Sequence, residues 1–300
     1  MARAIRYSRL PTEQQHPGSR HLDSLSPLQL LRLMNREDTR VVRAVNRQLP
    51  RIARAIQVIV RALRRDGRLL FVGAGTSGRL GVLEAAECPP TFHTPPSLVQ
   101  AIIAGGRSAV FRSQEGAEDD RRSARAAVRQ RVRRGDAVVG IAASGVTPFV
   151  AEALKVSARR GASTILITCH ARADIPAHVR ISLTVGPEVL TGSTRLKAAT
   201  ATKMILNMLT LGAMVQLGKT YGNLMVDVRP TSRKLRARAV RIIQMLTHCS
   251  AHEAAVSLRA ARGRVKAAVL MVHDRLAYPQ ALRRLTQARG SLRRALRSPS

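Results

Sequence analysis

The sequence predicts an α/β fold: a parallel, five-stranded, doubly wound sheet, preceded by N-terminal helices and followed by a small all-α module. Three observations predict it. Short runs rich in β-branched and aliphatic residues recur between Leu69 and Val185. Helix-like intervals separate several of them, as βαβ crossovers require. Small, glycine-bearing turns stand where these runs pass into helices, at the strand ends where open parallel sheets bind ligands.

Residues 1–25 are polar and irregular. A helix follows over SPLQLLRLMNRED, with Ser26 at a plausible N-cap and Pro27 at the first helical position. A second helix is expected from Val41 to Arg64, with Ile52, Ile56, Val60 and Leu63 at three- and four-residue spacing. The β-rich runs are Leu69–Val72, Leu98–Ile103, Ala137–Ala142, Thr164–Thr168 and Ile181–Val185, with helices expected at Asp119–Val132 and Pro148–Arg160. Ser193–Leu217 reads as a long core helix and Tyr221–Pro230 as a loop. Short basic helices are expected near Lys234–Thr247, Ala251–Arg259, Val265–Arg275 and Pro279–Arg289, ending in an Arg-Ser-Pro-Ser tail. The expected divisions are a helical segment at 1–58, a sheet domain at 59–222 and a helical module at 232–300.

The chain carries 51 basic residues against 18 acids, a formal charge of +33. Only six of the basic residues are lysine; the rest are arginine. Such a balance points first to polyanions. These arginines are spread along the chain, however, and aromatic residues are too scarce to interleave with them as single-strand binding requires. The expectation is a solvated arginine surface without specific nucleic-acid binding. Cys88, Cys169 and Cys249 lie far apart with no C-x-x-C, so neither a disulfide framework nor a zinc site is indicated. The first twenty residues lack an apolar signal core, and about 18 uninterrupted apolar residues occur nowhere. The expectation is a cytoplasmic protein with no membrane partner.

Residues Gly73, Gly75 and Gly78 spell G-x-G-x-x-G after the first run. A dinucleotide site also needs an acid closing the second strand, but LVQAIIAGG ends in glycines and Arg107. A P-loop needs Lys and Ser/Thr where Arg79-Leu80 stand. What remains is Thr76-Ser77 at a helix N-terminus, where amide N–H groups, two hydroxyls and the helix dipole suit one phosphate of a small molecule. The alternative is a tight βα turn capped by Ser77. Ser144-Gly145-Val146-Thr147-Pro148 repeats the device after the third run, and Gly192-Ser193-Thr194 opens the long helix in a similar way.

Acids near these loops are informative because acids are few. Glu84 and Glu87 share a face of the helix after the glycine loop, and the densest acidic cluster is Glu115-Gly116-Ala117-Glu118-Asp119-Asp120. Carboxylates from neighbouring βα units are what paired acid and base catalysis needs. Alternatively, Glu118–Asp120 cap the following helix. No metal site is expected: the histidines are scattered, and His248/His252 is the one helical i,i+4 pair. No G-x-S-x-G elbow is present, and Cys88 has no adjacent His.

GAGTSGRLGVLEAAECPPTF (73–92), EGAEDD (115–120), GIAASGVTP (140–148), GPEVLTGSTRLKA (186–198) and YGNLMVDV (221–228) closely resemble the N-acetylmuramic acid 6-phosphate etherases. Residues 12–38 resemble that family's N-terminal segment. These are sugar-isomerase-type (SIS) domain proteins of peptidoglycan recycling. The resemblance implies a cofactor-independent lyase that eliminates D-lactate from the sugar and then adds water, giving N-acetylglucosamine 6-phosphate. It implies Glu87 as the acid for lactate departure and Glu118 as the base, with Glu84 not catalytic. Thr76, Ser77, Ser144 and Thr147 would hold the phosphate, with Gly75, Gly78, Ser193 and Thr194 as further contacts. A homodimer is implied, with the active site near the subunit interface. The chain departs from the family at Val146, where Arg is usual, at Ala199, where Gly is usual, and at His16, where Asn is common. The alternative is a non-catalytic SIS-type sugar-phosphate sensor.

Overall fold

The computed structural model describes residue 8 and residues 10–297; the last three residues of the Arg-Ser-Pro-Ser tail lie outside them. The chain forms two compact units, one of Met1–Ala86 with Ser97–Thr210, the other of Glu87–Pro96 with Leu211–Ser300.

In the first unit, α1 (Pro27–Asn46) begins with a reciprocal cap. Ser26 Oγ accepts from the Gln29 amide, and the Gln29 side chain accepts from the Ser26 amide. The helix runs through Val41–Asn46, residues the spacing assigned to the second helix. That helix, α2 (Leu49–Leu63), starts instead with Pro50 in its first turn. Proline lacks an N–H and its ring blocks the preceding turn, so it fits a helix start and not a helix interior.

The sheet has five strands: β1 (Leu69–Gly73), β2 (Val99–Ile103), β3 (Ala137–Ile141), β4 (Ser163–Thr168) and β5 (Val179–Ser182). Their order is β2-β1-β3-β4-β5 and every pairing is parallel. Leu69 stands opposite both Val99 and Ala137. β5 begins earlier than Ile181 and stops before Val185, because its neighbour β4 ends at Thr168, whose carbonyl accepts from the Leu183 amide just past the ladder. α4 (Ser108–Phe111) is a single turn, and α5 (Arg121–Arg131) and α6 (Pro148–Arg159) follow β2 and β3. One sheet face packs Leu70, Val72, Val138 and Leu166 against Phe149, Val150 and Leu154 of α6 and Val128 of α5. α2 and the first part of α3 (Gly75–Phe92) take the other face, where a Cβ on Gly81 would lie 2.8 Å from Phe71 Cβ.

α7 (Lys197–Gln216) starts later than Ser193 because its cap is remote. The Glu188 carboxylate accepts from the amides of Lys197 (3.0 Å) and Ala198 (2.9 Å). Gly192-Ser193-Thr194 therefore precedes this helix and does not open it. Among the described residues α7 is the one helix long and apolar enough to cross a membrane, and half of that stretch is buried.

The second unit holds α8 (Arg233–Thr247), α9 (Ala251–Ala260), α10 (Val265–His273), α11 (Tyr278–Gln287) and α12 (Leu292–Ala295). They share a core of small and aliphatic side chains, including Val226, Val228, Ile243, Ala268 and Leu292. Lys266 Nζ is buried there and donates to the carbonyls of Gly218 and Gly290 and to Asp227 Oδ2 (2.6 Å). Burial lowers its pKa, against the opposing pull of Asp227. Asp227, in the Gly222–Val228 stretch, thus serves the unit's core. His248 is the left-handed cap that ends α8, so His248 and His252 stand on either side of a helix break and not on one helix as expected.

Candidate active site

β1 has β2 on one side and β3 on the other, so the chain leaves these two strands in opposite directions. That switch point opens a crevice at the carboxyl ends. A cavity of about 360 Å³ lies there, and all its lining residues belong to the first unit.

Its first wall is Ala74-Gly75-Thr76-Ser77, between β1 and α3. The three glycines of G-x-G-x-x-G divide their work. A Cβ on Gly73 would meet the Gly78 amide nitrogen at 2.7 Å, and one on Gly78 would meet the Gly73 carbonyl oxygen at 2.8 Å. Both keep helix and strand close. Gly75, with φ +52°, has nothing within 4 Å of that position and turns the chain into the helix. Thr76 and Ser77 fall in the first turn of α3, where amide N–H groups lack intrahelical partners.

The second wall is Ser144, Val146 and Thr147, between β3 and α6. Gly145 adopts φ +75° with Ala173 so near that a Cβ would lie 2.6 Å from it. Ser144 Oγ accepts from the Val146 amide (3.4 Å), and the Ser144 carbonyl meets His170 Nδ1 (3.2 Å). Thr147 is the N-cap of α6, but its hydroxyl makes no capping bond and stays free to face the cavity. Two helix N-termini and four hydroxyls thus border one space, and no lysine or arginine is among its described lining residues. Such an arrangement offers hydrogen bonds and helix dipoles to an anion of the size of phosphate.

Gly192 and Thr194 complete the hydroxyl side; Ser193 and Gly78 are not part of the wall. Opposite in charge are Glu118 and Asp119, on the 3₁₀ turn Ala117–Asp119, and Glu13 from the N-terminal segment. Asp120 caps α5 alone, its Oδ1 accepting from the amides of Arg122 and Ser123 (2.9 Å each). The acidic cluster is therefore divided, and Glu118 is released from capping. Desolvation raises the Glu118 pKa, and the charges of Asp119 and Glu115 raise it further.

Glu84 and Glu87 have different surroundings. Glu84 is buried, and its carboxylate receives Thr210 Oγ1 (2.5 Å), Asn207 Nδ2 (3.1 Å) and Lys203 Nζ (3.5 Å), tying α3 to α7. Glu87 is exposed, on the part of α3 that belongs to the second unit, and is not among the lining residues of the cavity. Cys169 is inert: burial first, then the charge of Glu188, pushes its thiol up to about 12. Among the described residues no group of three His, Cys, Asp or Glu side chains could hold a metal ion.

Glu13 and Asp119 are cavity residues that motif reading passed over. Glu13 lies in the polar stretch 12–20, whose only signal is its resemblance to a family segment. Asp119 adjoins Glu118 in the acidic cluster.

Residues 51–158 match the family described as glucokinase regulatory protein N-terminal SIS domain, and residues 118–212 match the SIS domain. A phosphoheptose isomerase from Francisella tularensis has the same fold, with a TM-score of 0.50 at 16% identity over 64% of this chain and 100% of its own. The N-acetylmuramic acid 6-phosphate etherase of Microcystis aeruginosa is 50% identical, covering 96% of this chain and 95% of the relative. That of Geobacillus thermodenitrificans is 48% identical, covering 96% and 98%. With half its residues identical over nearly its full length, built on this sheet and around this cavity, the chain belongs to the N-acetylmuramic acid 6-phosphate etherase family.

Proposed function

We propose that this protein is a carbon–oxygen lyase that cleaves the D-lactyl ether of N-acetylmuramic acid 6-phosphate, giving N-acetylglucosamine 6-phosphate and D-lactate. One observation carries the reading to the site: the cavity at the switch point gathers Thr76, Ser77, Ser144 and Thr147 beside Glu118, whose pKa is raised. The hydroxyls and helix N-termini hold the 6-phosphate, and Gly75 and Thr194 add contacts. In the open-chain sugar the aldehyde acidifies the proton on carbon 2. Glu118 takes that proton, and the electron pair forms the carbon 2–carbon 3 double bond as the carbon 3–oxygen bond breaks. Glu87 protonates the departing lactate oxygen. Water then adds to carbon 3 of the enal, and a proton returns to carbon 2. The sequence is redox-neutral and calls for no cofactor. A base with a raised pKa and a separate acid suit it.

Glu87 takes its role from the family motif at 73–92. The site is completed in a homodimer, a reading supported by the exposed Leu28, Leu31 and Val42 of α1. The protein acts in the cytoplasm, on amino sugars recycled from peptidoglycan. Purified protein incubated with the substrate releases D-lactate, and Glu87→Ala and Glu118→Ala do not. No lactate from the wild type overturns the reading; full activity in both variants overturns the residue assignment.

A further inference from the structure

We propose that Glu13 is a specificity residue of this cavity, accepting a hydrogen bond from a neutral donor of the sugar, a hydroxyl or the amide N–H, while the hydroxyl loops hold the phosphate. The inference rests on the sugar-phosphate reading above.

Glu13 ends a short 3₁₀ turn, Pro11–Glu13, in a segment that is fastened on both sides. Leu10 and Thr12 are buried before it, and the Gly192 amide donates to the Thr12 carbonyl (3.0 Å). Beyond it, the buried His16 reaches Glu37 of α1 (Nε2 to Oε2, 3.1 Å). A carboxylate on this segment is thus held at the cavity wall by tertiary bonds, although only a single 3₁₀ turn carries it. Gly192, at φ +79°, gives it room: a Cβ there would lie 3.2 Å from Glu13 Oε2.

The carboxylate is only half used. Oε1 accepts from Thr12 Oγ1 (3.0 Å), while Oε2 has no hydrogen-bond donor and no ion pair among the described residues. In a chain of 51 basic side chains, an acid facing a ligand cavity without a cation is informative. It cannot serve the phosphate, which it repels. A sugar offers what it lacks, a neutral O–H or N–H, and a bond from such a donor to a carboxylate is of the strong, charge-assisted kind. Glu13 therefore separates sugar phosphates from phosphates that lack these donors.

The test compares two probes, N-acetylglucosamine 6-phosphate and methyl phosphate, which has no neutral O–H or N–H to donate, on the full-length wild type, Glu13→Ala and Glu13→Gln, with thermal melts of all three. The expected result is that Glu13→Ala weakens the sugar phosphate by about 10- to 100-fold and methyl phosphate by less than about twofold. Glu13→Gln, which keeps one acceptor oxygen, falls between. In turnover the Glu13→Ala loss falls on KM more than on kcat. Equal weakening of both probes means the turn only props the wall, and overturns the proposal. An unchanged preference in Glu13→Ala, with lactate release intact in the wild type, overturns it and leaves the etherase reading standing.

Discussion

Lys197 Nζ lies 2.8 Å from Glu37 Oε2, and both side chains are only 2% exposed. The pair joins the start of α7 to the middle of α1, and His16 and Arg40 approach the same oxygen. Burial alone would raise the Glu37 pKa, but the Lys197 bond and charge, then His16 and Arg40, outweigh it and hold it below its ordinary value of 4.5. Glu37 therefore stabilises the fold above that value, and the contribution is lost as pH falls through the lower folded-state value. Lys197→Met should cost about 3 kcal/mol, the lower end for a broken buried pair, because His16 and the exposed Arg40 still face the carboxylate. Adding Glu37→Gln should recover much of that loss. Urea unfolding of the single and double variants measures both, and equal losses in the two would contradict the account.

The pH dependence of turnover should report Glu118. With its pKa raised by burial and then by Asp119 and Glu115, the proposed base should lose its charge at a higher pH than an ordinary glutamate does. Asp119→Asn and Glu115→Gln remove like charges and should each shift the acid limb of kcat/KM downward. Glu118→Gln should lower kcat by about a hundred- to ten-thousand-fold, the range of a lost general base. An acid limb that stays put in Asp119→Asn would show that another group governs it.

The two kinds of glycine in the first loop should separate in stability. Gly75→Ala meets open space and bears only the left-handed backbone penalty, about 1–2 kcal/mol. Gly73→Ala drives a methyl into the backbone of Ser77 and Gly78 and should cost more, about 3 kcal/mol or above. Thermal melts rank them, and the reverse order would refute the division of labour.

Val146 lines the cavity where the resembled family usually carries Arg. Val146→Arg adds a cation to the proposed phosphate site, which has none among its described lining residues. It should lower KM for a sugar phosphate by about five- to tenfold, with kcat changed little, as for one partly exposed charge-assisted bond. An unchanged KM would mean that the added guanidinium does not reach the phosphate.

Much of this was legible because its causes are local. Apolar runs between helix-like intervals declare a parallel sheet, and small hydroxyl-bearing turns at strand ends declare where its cavity opens. The rest depends on distant partners. α7 begins at Lys197 because Glu188, well upstream, caps it, and no local signal marks that position. Glu13 reaches the cavity through the bond between Thr12 and Gly192, which no spacing rule reveals. Which acid caps α5 is decided by geometry: Glu118, Asp119 and Asp120 are equally acidic in the sequence, and only Asp120 takes the amides. The proline that separates α1 from α2 was visible, but the periodic run around it masked its effect.

The cavity reverses the sign of the molecule that contains it. The chain carries +33, whereas the charged lining residues are three acids, Glu13, Glu118 and Asp119. A phosphorylated sugar is therefore drawn in by the whole protein and sorted within the site. On the proposed reading, its doubly charged end is turned away from the carboxylates and accepted by the helix N-termini, which leaves the neutral carbon chain facing the acids. A substrate held so is seated one way round by repulsion as much as by attraction, before any catalytic proton moves.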